Sequence, residues 1–227
     1  MPQHRYFLKD GKTEVPGTST LAKIGDDQTG LKDASIKMAL ERGLDSNIVW
    51  KRDTDIGTGV HGMIQQYLLG FTVTQPEVDK TVITDVLMNR TCWLCFQGWQ
   101  TWYGASGFKV VHTEMSLVSE VERFGGTFDA ILEKNGVLWV ADWKTSKQFN
   151  HAMLIQIAGY RGIINELMPE NPVHHGLIVR ISKDTGTAIP RAYAKEQLDV
   201  GWEHILRQRD LYEGRKDVAK AFKEYDN

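Results

Sequence analysis

Gly125-Gly126-Thr127-Phe128-Asp129-Ala130-Ile131-Leu132, then Glu133-Lys134-Asn135-Gly136, then Val137-Leu138-Trp139-Val140-Ala141-Asp142-Trp143-Lys144, is the stretch from which the fold can be read. Asn-Gly between two apolar runs signals a tight β-hairpin, because both turn positions need φ > 0. With the turn centred on Asn135-Gly136, paired residues have numbers summing to 271, and Asp129 falls opposite Asp142. Opposed residues share a sheet face with Cβ atoms roughly 4.5–5.5 Å apart. Carboxylates that close repel unless a proton or a metal ion sits between them. Lys144, two residues on, projects from the face of Asp142. A three-residue loop would slip the register by one and separate the aspartates.

Two acids and a lysine on one patch suit a metal-dependent phosphodiesterase. An acid two residues before a lysine also arises by chance, as at Asp10-Gly11-Lys12, where no apolar strand precedes it and a surface turn is expected. Asp142 differs because it ends an apolar run with the character of a buried central strand.

Composition sets the outer limits. The 227 residues, 41% hydrophobic and 25% charged, suit one unit with a sizeable core. No apolar run reaches membrane-spanning length, and Met1–Phe7 lacks the apolar core of a signal peptide, so a cytoplasmic protein without a membrane partner is expected. A net charge of −2 argues against a protein that coats nucleic acid, though not against one that holds a short stretch in a cleft. Cys92 and Cys95 form a lone Cys-x-x-Cys. They fall on the stripe Met88, Cys92, Cys95, Phe96, Trp99, Trp102 and Tyr103, which reads as the buried face of a helix.

Helices are expected at 18–24, 30–42, 58–69, 78–103, 151–168 and from 196 onward. Strands are expected at 108–118, 123–133, 137–144, 174–181 and 186–193. This order gives an α/β fold, a mixed central sheet with helices on both faces. Residues 1–105 form a mainly helical annex carrying His61, 106–195 the sheet core, and 196–227 a closing helix with a solvated charged face.

Further candidates surround the hairpin. His61 sits on a helix beside Ile64 and Leu68, either as a core histidine or as a metal ligand. Gln156 and Tyr160 share a helix face just after the Asp142–Lys144 strand. Glu114 lies in the first long strand. Thr18, Ser19 and Thr20 open a helix, as a plain N-cap or as a phosphate site.

In order, Gly57-Thr58-x-x-His61, Glu114, Gly126-x-x-Asp129, Asp142-Trp143-Lys144-Thr145-Ser146 and Gln156-x-x-x-Tyr160 resemble the motif series of the RecB-type branch of the PD-(D/E)XK nucleases. That branch includes RecB-like CRISPR-associated exonucleases and the mitochondrial genome maintenance exonuclease. Pro16-Gly17-Thr18-Ser19-Thr20-Leu21 is similar to the N-terminal segment of phage-borne and mitochondrial members. The resemblance implies a restriction-endonuclease-like core. Its metal ligands would be His61, Asp129, Asp142 and the Trp143 backbone carbonyl, with Glu114 supporting them or serving a second ion. The metal would be Mg²⁺ or Mn²⁺, histidine favouring Mn²⁺. Lys144 would orient the attacking water, with Gln156 and Tyr160 positioning Lys144 or the adjoining nucleotide. Thr145 and Ser146, with Thr18–Thr20, would touch substrate. The implied substrate is DNA, as single strands or ends, in recombination, repair or replication and with room for a partner protein. Cutting would leave a 5′-phosphate and a 3′-hydroxyl. A structure-selective endonuclease, or a non-cutting DNA- or partner-binding protein, would share the fold. Several relatives carry a four-cysteine iron–sulfur cluster. With two cysteines on one helix, this chain departs from them, and no cluster is expected.

Overall fold

The computed structural model describes residues 4–24, 36–37, 40–41, 43, 46–75 and 83–225. The expected helix at 30–42, and the start of the one at 78–103, lie largely or partly outside the described residues.

The Asn-Gly turn forms as its chemistry requires, with φ of 54° at Asn135 and 79° at Gly136. It joins strands Phe124–Lys134 (β4) and Val137–Lys144 (β5). Their pairs, from Lys134↔Val137 to Ala130↔Ala141, all keep the predicted register. Strand Lys109–Ser119 (β3) flanks β4, and strands His175–Ile181 (β6) and Ala188–Tyr193 (β7) continue beyond β5. The five strands run β3-β4-β5-β6-β7, antiparallel except for the parallel pair β5–β6. Helix His151–Leu167 (α4) makes the crossover between that parallel pair. It begins where the Asn150 side chain accepts the Met153 N–H at 3.1 Å and stops short of Pro169.

Helices cover both faces, as the order of elements implies. On one side, helices Ser46–Leu68 (α2) and Ile83–Ser106 (α3) pack Ile56, Val60, Ile64, Phe96 and Trp99 against Ala130, Ala141, Trp143 and Val179. On the other, α4 and helix Lys195–Tyr225 (α5) pack Ile157, Tyr160, Ile164 and Leu198 against Phe128, Ile131, Val140 and Ile178. A third cluster joins Leu21, from the single turn Thr18–Leu21 (α1), to Phe124, Ile155, Ile163 and Ile205. One face of the first half of α5 is therefore core, while residues from Arg215 to Lys223 are exposed.

Two features depart from the expectation. Helix α2 begins at Ser46 rather than near Thr58, so Gly57 and Gly59 lie inside it. Helix-interior glycine costs about 1 kcal/mol relative to alanine, and here close approach explains it. A Cβ on Gly59 would sit 3.0 Å from the Cys92 sulfur, and one on Gly57 would sit 3.2 Å from the Thr145 hydroxyl. A small hairpin, Tyr6–Phe7 (β1) with Glu14–Val15 (β2), was not anticipated from the sequence. Asp10 closes its turn by accepting the Lys12 and Thr13 N–H groups, both at 2.9 Å, the surface turn expected there. Cys92 and Cys95 are buried as read, and burial pushes the Cys95 thiol up to about 11. No helix among the described residues is long and apolar enough to cross a membrane.

Candidate active site

The site forms where the β4–β5 ladder stops. Ala130↔Ala141 is its last pair, so Asp129 and Asp142 are not a ladder pair although their register is the one expected. In place of a backbone carbonyl, the Asp129 carboxylate accepts the Trp143 N–H at 2.6 Å. The two-residue alternation of β4 breaks here too, since Phe128 and Ile131 both face α4. Across on β3, Glu114 carries φ of 48° and the ladder skips from Thr113↔Ala130 to Met115↔Phe128. A glutamate at positive φ is uncommon, and such backbone settles where surroundings over-determine it.

That irregularity lets Asp129 reach α2. His61 Nδ1 lies 3.0 Å from Asp129 Oδ1, with 23% and 18% of the two side chains exposed. Lys144 Nζ lies 2.6 Å from Asp142 Oδ2, and the Asp142 side chain is 5% exposed. That Asp142 oxygen is shielded from water, and the Lys144 ammonium is the group that faces it. On α4 the Gln156 amide donates to the Tyr160 hydroxyl at 2.6 Å, joining the pair as their spacing implied. Tyr160 is buried beneath Gly126, whose added Cβ would come within 2.6 Å of its ring.

The electrostatics follow from this crowding. Burial raises the Asp142 carboxyl, the Asp129 charge adds to the rise, and Lys144 only partly offsets it. Burial opposes ionisation of Asp129 as well, but His61, Lys144 and the Trp143 N–H together hold it below the usual range. Burial would lower His61, yet the charge and hydrogen bond of Asp129 outweigh it and raise the imidazole. Tyr160 stands well above a normal phenol, first from burial and then from the charges of Asp142 and Asp129. One carboxylate is thus kept ionised while its neighbour resists ionisation, the separation of roles seen at acid–base and metal sites.

Other candidates divide. The Trp143 ring is buried against Trp99 and Trp102, at centroid distances of 5.4 and 6.2 Å, on the face away from Asp142. Thr145 lies against Gly57, and the Ser146 hydroxyl donates to the Gln148 carbonyl at 3.1 Å. Thr18 is buried and its hydroxyl donates to the Gly125 carbonyl at 2.7 Å, so it ties α1 to β4. Ser19 and Thr20 are exposed, and the four residues of α1 provide no sustained helix dipole. Glu114 is exposed and sits beside Asp129 in the sheet without joining it. Among the described residues, no three His, Cys, Asp or Glu side chains converge as a ready-made metal cage. Two of the candidate oxygens are instead engaged by His61 and Lys144.

Arg180 was not singled out from the sequence. It is the Cα partner of Lys144 in the parallel β5–β6 pairing, a neighbour visible only once the strand order is known.

No protein-family model matches the chain, and no curated protein sequence matches it. Among solved structures it is similar to LHK-Exo in complex with dAMP, with a TM-score of 0.47 and 10% identity over 94% of this chain and 95% of that one. It is also similar to a protein of Eubacterium rectale provisionally described as an exonuclease, with a TM-score of 0.40 and 13% identity over 66% of each chain. Exonucleases are therefore among the structures this chain is similar to. Likeness of this degree leaves the function to be argued from the site.

Proposed function

We propose that the protein is a divalent-metal-dependent DNA nuclease of the RecB type, acting on single strands or ends. The observation that carries the reading is the meeting of His61, Asp129, Asp142 and Lys144 at the end of β5, with a buried Asp142 oxygen faced by the Lys144 ammonium. A carboxylate desolvated to that degree is costly unless a cation faces it.

The donor set fits a hard divalent ion. Asp129, Asp142 and the His61 imidazole would hold it, in place of the contacts that His61 and Lys144 now make to the two carboxylates. The ion supplies Lewis acidity toward a phosphate oxygen and an acidified water. The chain's own residues supply the remainder. Lys144 is a positive donor already directed into the site, suited to the charge that grows on the phosphate during in-line attack. Tyr160 stays protonated at neutral pH and accepts from Gln156, so its own proton is free to be donated and it acts as a donor rather than a base. The Trp143 N–H fixes the Asp129 carboxylate so that it faces His61. Hydrolysis of this kind leaves a 5′-phosphate and a 3′-hydroxyl.

The test uses 5′-labelled and, separately, 3′-labelled linear DNA, single-stranded and duplex, with closed circles alongside, in Mn²⁺, Mg²⁺ or EDTA. Metal-dependent degradation of linear but not circular DNA is expected, and the two label ladders give the polarity. Cutting of circles would make it an endonuclease. Folded protein that cuts nothing under any condition would overturn the proposal.

A further inference from the structure

Two strands of the sheet beyond the aspartates carry positive charge that nothing in the catalytic reading uses. Arg180 on β6 pairs with Lys144, and Arg191 on β7 pairs with Ile178, which in turn pairs with Asp142. Paired residues share a sheet face, and strands are about 4.8 Å apart. Arg180 therefore stands one strand from Lys144, and Arg191 about 10 Å from Asp142.

Both arginines converge on one aromatic ring in the loop that follows β5. The Arg191 guanidinium lies 3.9 Å from the centroid of Phe149, and that of Arg180 lies 5.7 Å from it. Arg180 Nη1 also donates to the carbonyls of Ser146 and Lys147, at 3.4 and 3.0 Å. Those partners are neutral and leave the charge in place. Neither arginine forms an ion pair among the described residues, whereas Arg161, Arg209 and Lys183 each hold a carboxylate. Arg191 and Lys147 are exposed, so the charge faces solvent beside an otherwise acidic site in a chain of net charge −2.

We infer that Arg180 and Arg191, both set against the Phe149 ring, form a ledge that binds backbone phosphate of the nucleic-acid strand next to the bond being cut. The inference rests on the nuclease reading and names where that site holds its substrate. Guanidinium groups fixed by stacking and by carbonyl contacts lose little freedom on meeting a phosphate, and their planar fork matches its oxygens. Arg180 restrains the loop carrying Lys147 and binds nearest the cut, and Arg191 extends the track toward the sheet edge. Such contacts position the strand and carry no base sequence.

The test measures the affinity of a fluorescent single-stranded oligonucleotide for the full chain across a series of KCl concentrations. Lys144→Ala with Mg²⁺ serves as the background, so that binding is read without cutting. Adding Arg191→Gln, or Arg180→Gln, is expected to reduce the slope of log affinity against log salt by about 0.7, one single-strand phosphate contact. The loss should be alike for different sequences. Arg191→Lys should restore most of the slope, and Lys220→Gln on the far half of α5 should leave it unchanged. In the cutting enzyme Arg191→Gln should raise KM and leave kcat within about threefold. Arg191 lies exposed on an edge strand, so this variant remains informative if Arg180→Gln disturbs the loop. Unchanged slopes and KM, with Lys144→Ala still abolishing cutting, would overturn the ledge and leave the nuclease reading intact. A folded wild-type chain that neither binds nor cuts would overturn both.

Discussion

Asp142 is the residue at which stability and function pull apart. Its carboxylate is buried beside Asp129, and burial with repulsion raises it despite Lys144. A neutral isostere should therefore ease the metal-free protein. Asp142→Asn is expected to raise the melting temperature in EDTA at pH 7 and to abolish the rise that Mn²⁺ gives the wild type, since bound metal stabilises only the state that holds it. Differential scanning fluorimetry reads both, and an Asn variant that still gains stability from Mn²⁺ would remove Asp142 from the ligand set. Glu114 tests the neighbouring backbone. At φ of 48° its side chain crowds the main chain, so Glu114→Val should cost about 1–2 kcal/mol while Glu114→Gly stays near neutral. Urea midpoints would show the contrast. Equal midpoints for the two variants would mean the strand relaxes at no cost.

At the scale of elements, several contacts admit glycine alone. Gly98 on α3 faces the β6–β7 turn, and a Cβ there would lie 1.7 Å from the Gly186 carbonyl oxygen. Backbone cannot yield as a side chain tip can. Gly98→Ala should therefore destabilise by about 2 kcal/mol or more through displacement of α3, read as a lower urea midpoint with far-ultraviolet dichroism retained. None of this was legible in the sequence, where Gly98 lies between Gln97 and Trp99 on an ordinary helix. The hairpin was legible because Asn135-Gly136 fixes its own turn, and with it the register of β4 and β5. The Gln156–Tyr160 pairing was legible too, since local periodicity decides it. The limits of α2 were not. Helix-breaking glycines at 57 and 59 are retained for tertiary approach, which one-dimensional periodicity does not report. Nor was the break in the ladder at Asp129, because it depends on β3 and α2 together. The same holds for Arg180, whose place beside Lys144 depends on the strand order.

Across the whole molecule, α4 and α5 hold the site's supporting face in place, and their junction carries a pH dependence. Arg161, with 9% of its side chain exposed, donates to Asp199 at 2.6 Å, and Lys195 binds the other carboxylate oxygen at 2.7 Å. The hydrogen bond from Lys195, then that from Arg161, holds the Asp199 carboxyl below its usual range. A depressed carboxyl stabilises the fold above the unfolded value near 3.9, and the gain disappears as pH falls through the lower folded value. Asp199 is 42% exposed, so solvent screens the pair and its worth is on the order of 0.5–1 kcal/mol. Asp199→Asn should lower stability by that amount at pH 7 and by less in acid, once pH has fallen through the folded value, as urea midpoints at the two pH values would show. An equal loss at both would assign Asp199 a packing role instead. The two faces converge on the end of β5, where α2 delivers His61 and α4 delivers Tyr160 to the same pair of aspartates. The most direct measurement is the single-turnover cutting rate of wild-type protein and of Lys144→Ala on labelled single-stranded DNA in Mn²⁺, with folding of both verified by dichroism. Cutting by the wild type that EDTA stops, and that falls about 100- to 1,000-fold in the variant, is the expected result. Equal rates in the two proteins, or cutting that survives EDTA, would contradict a metal-dependent site built around Lys144.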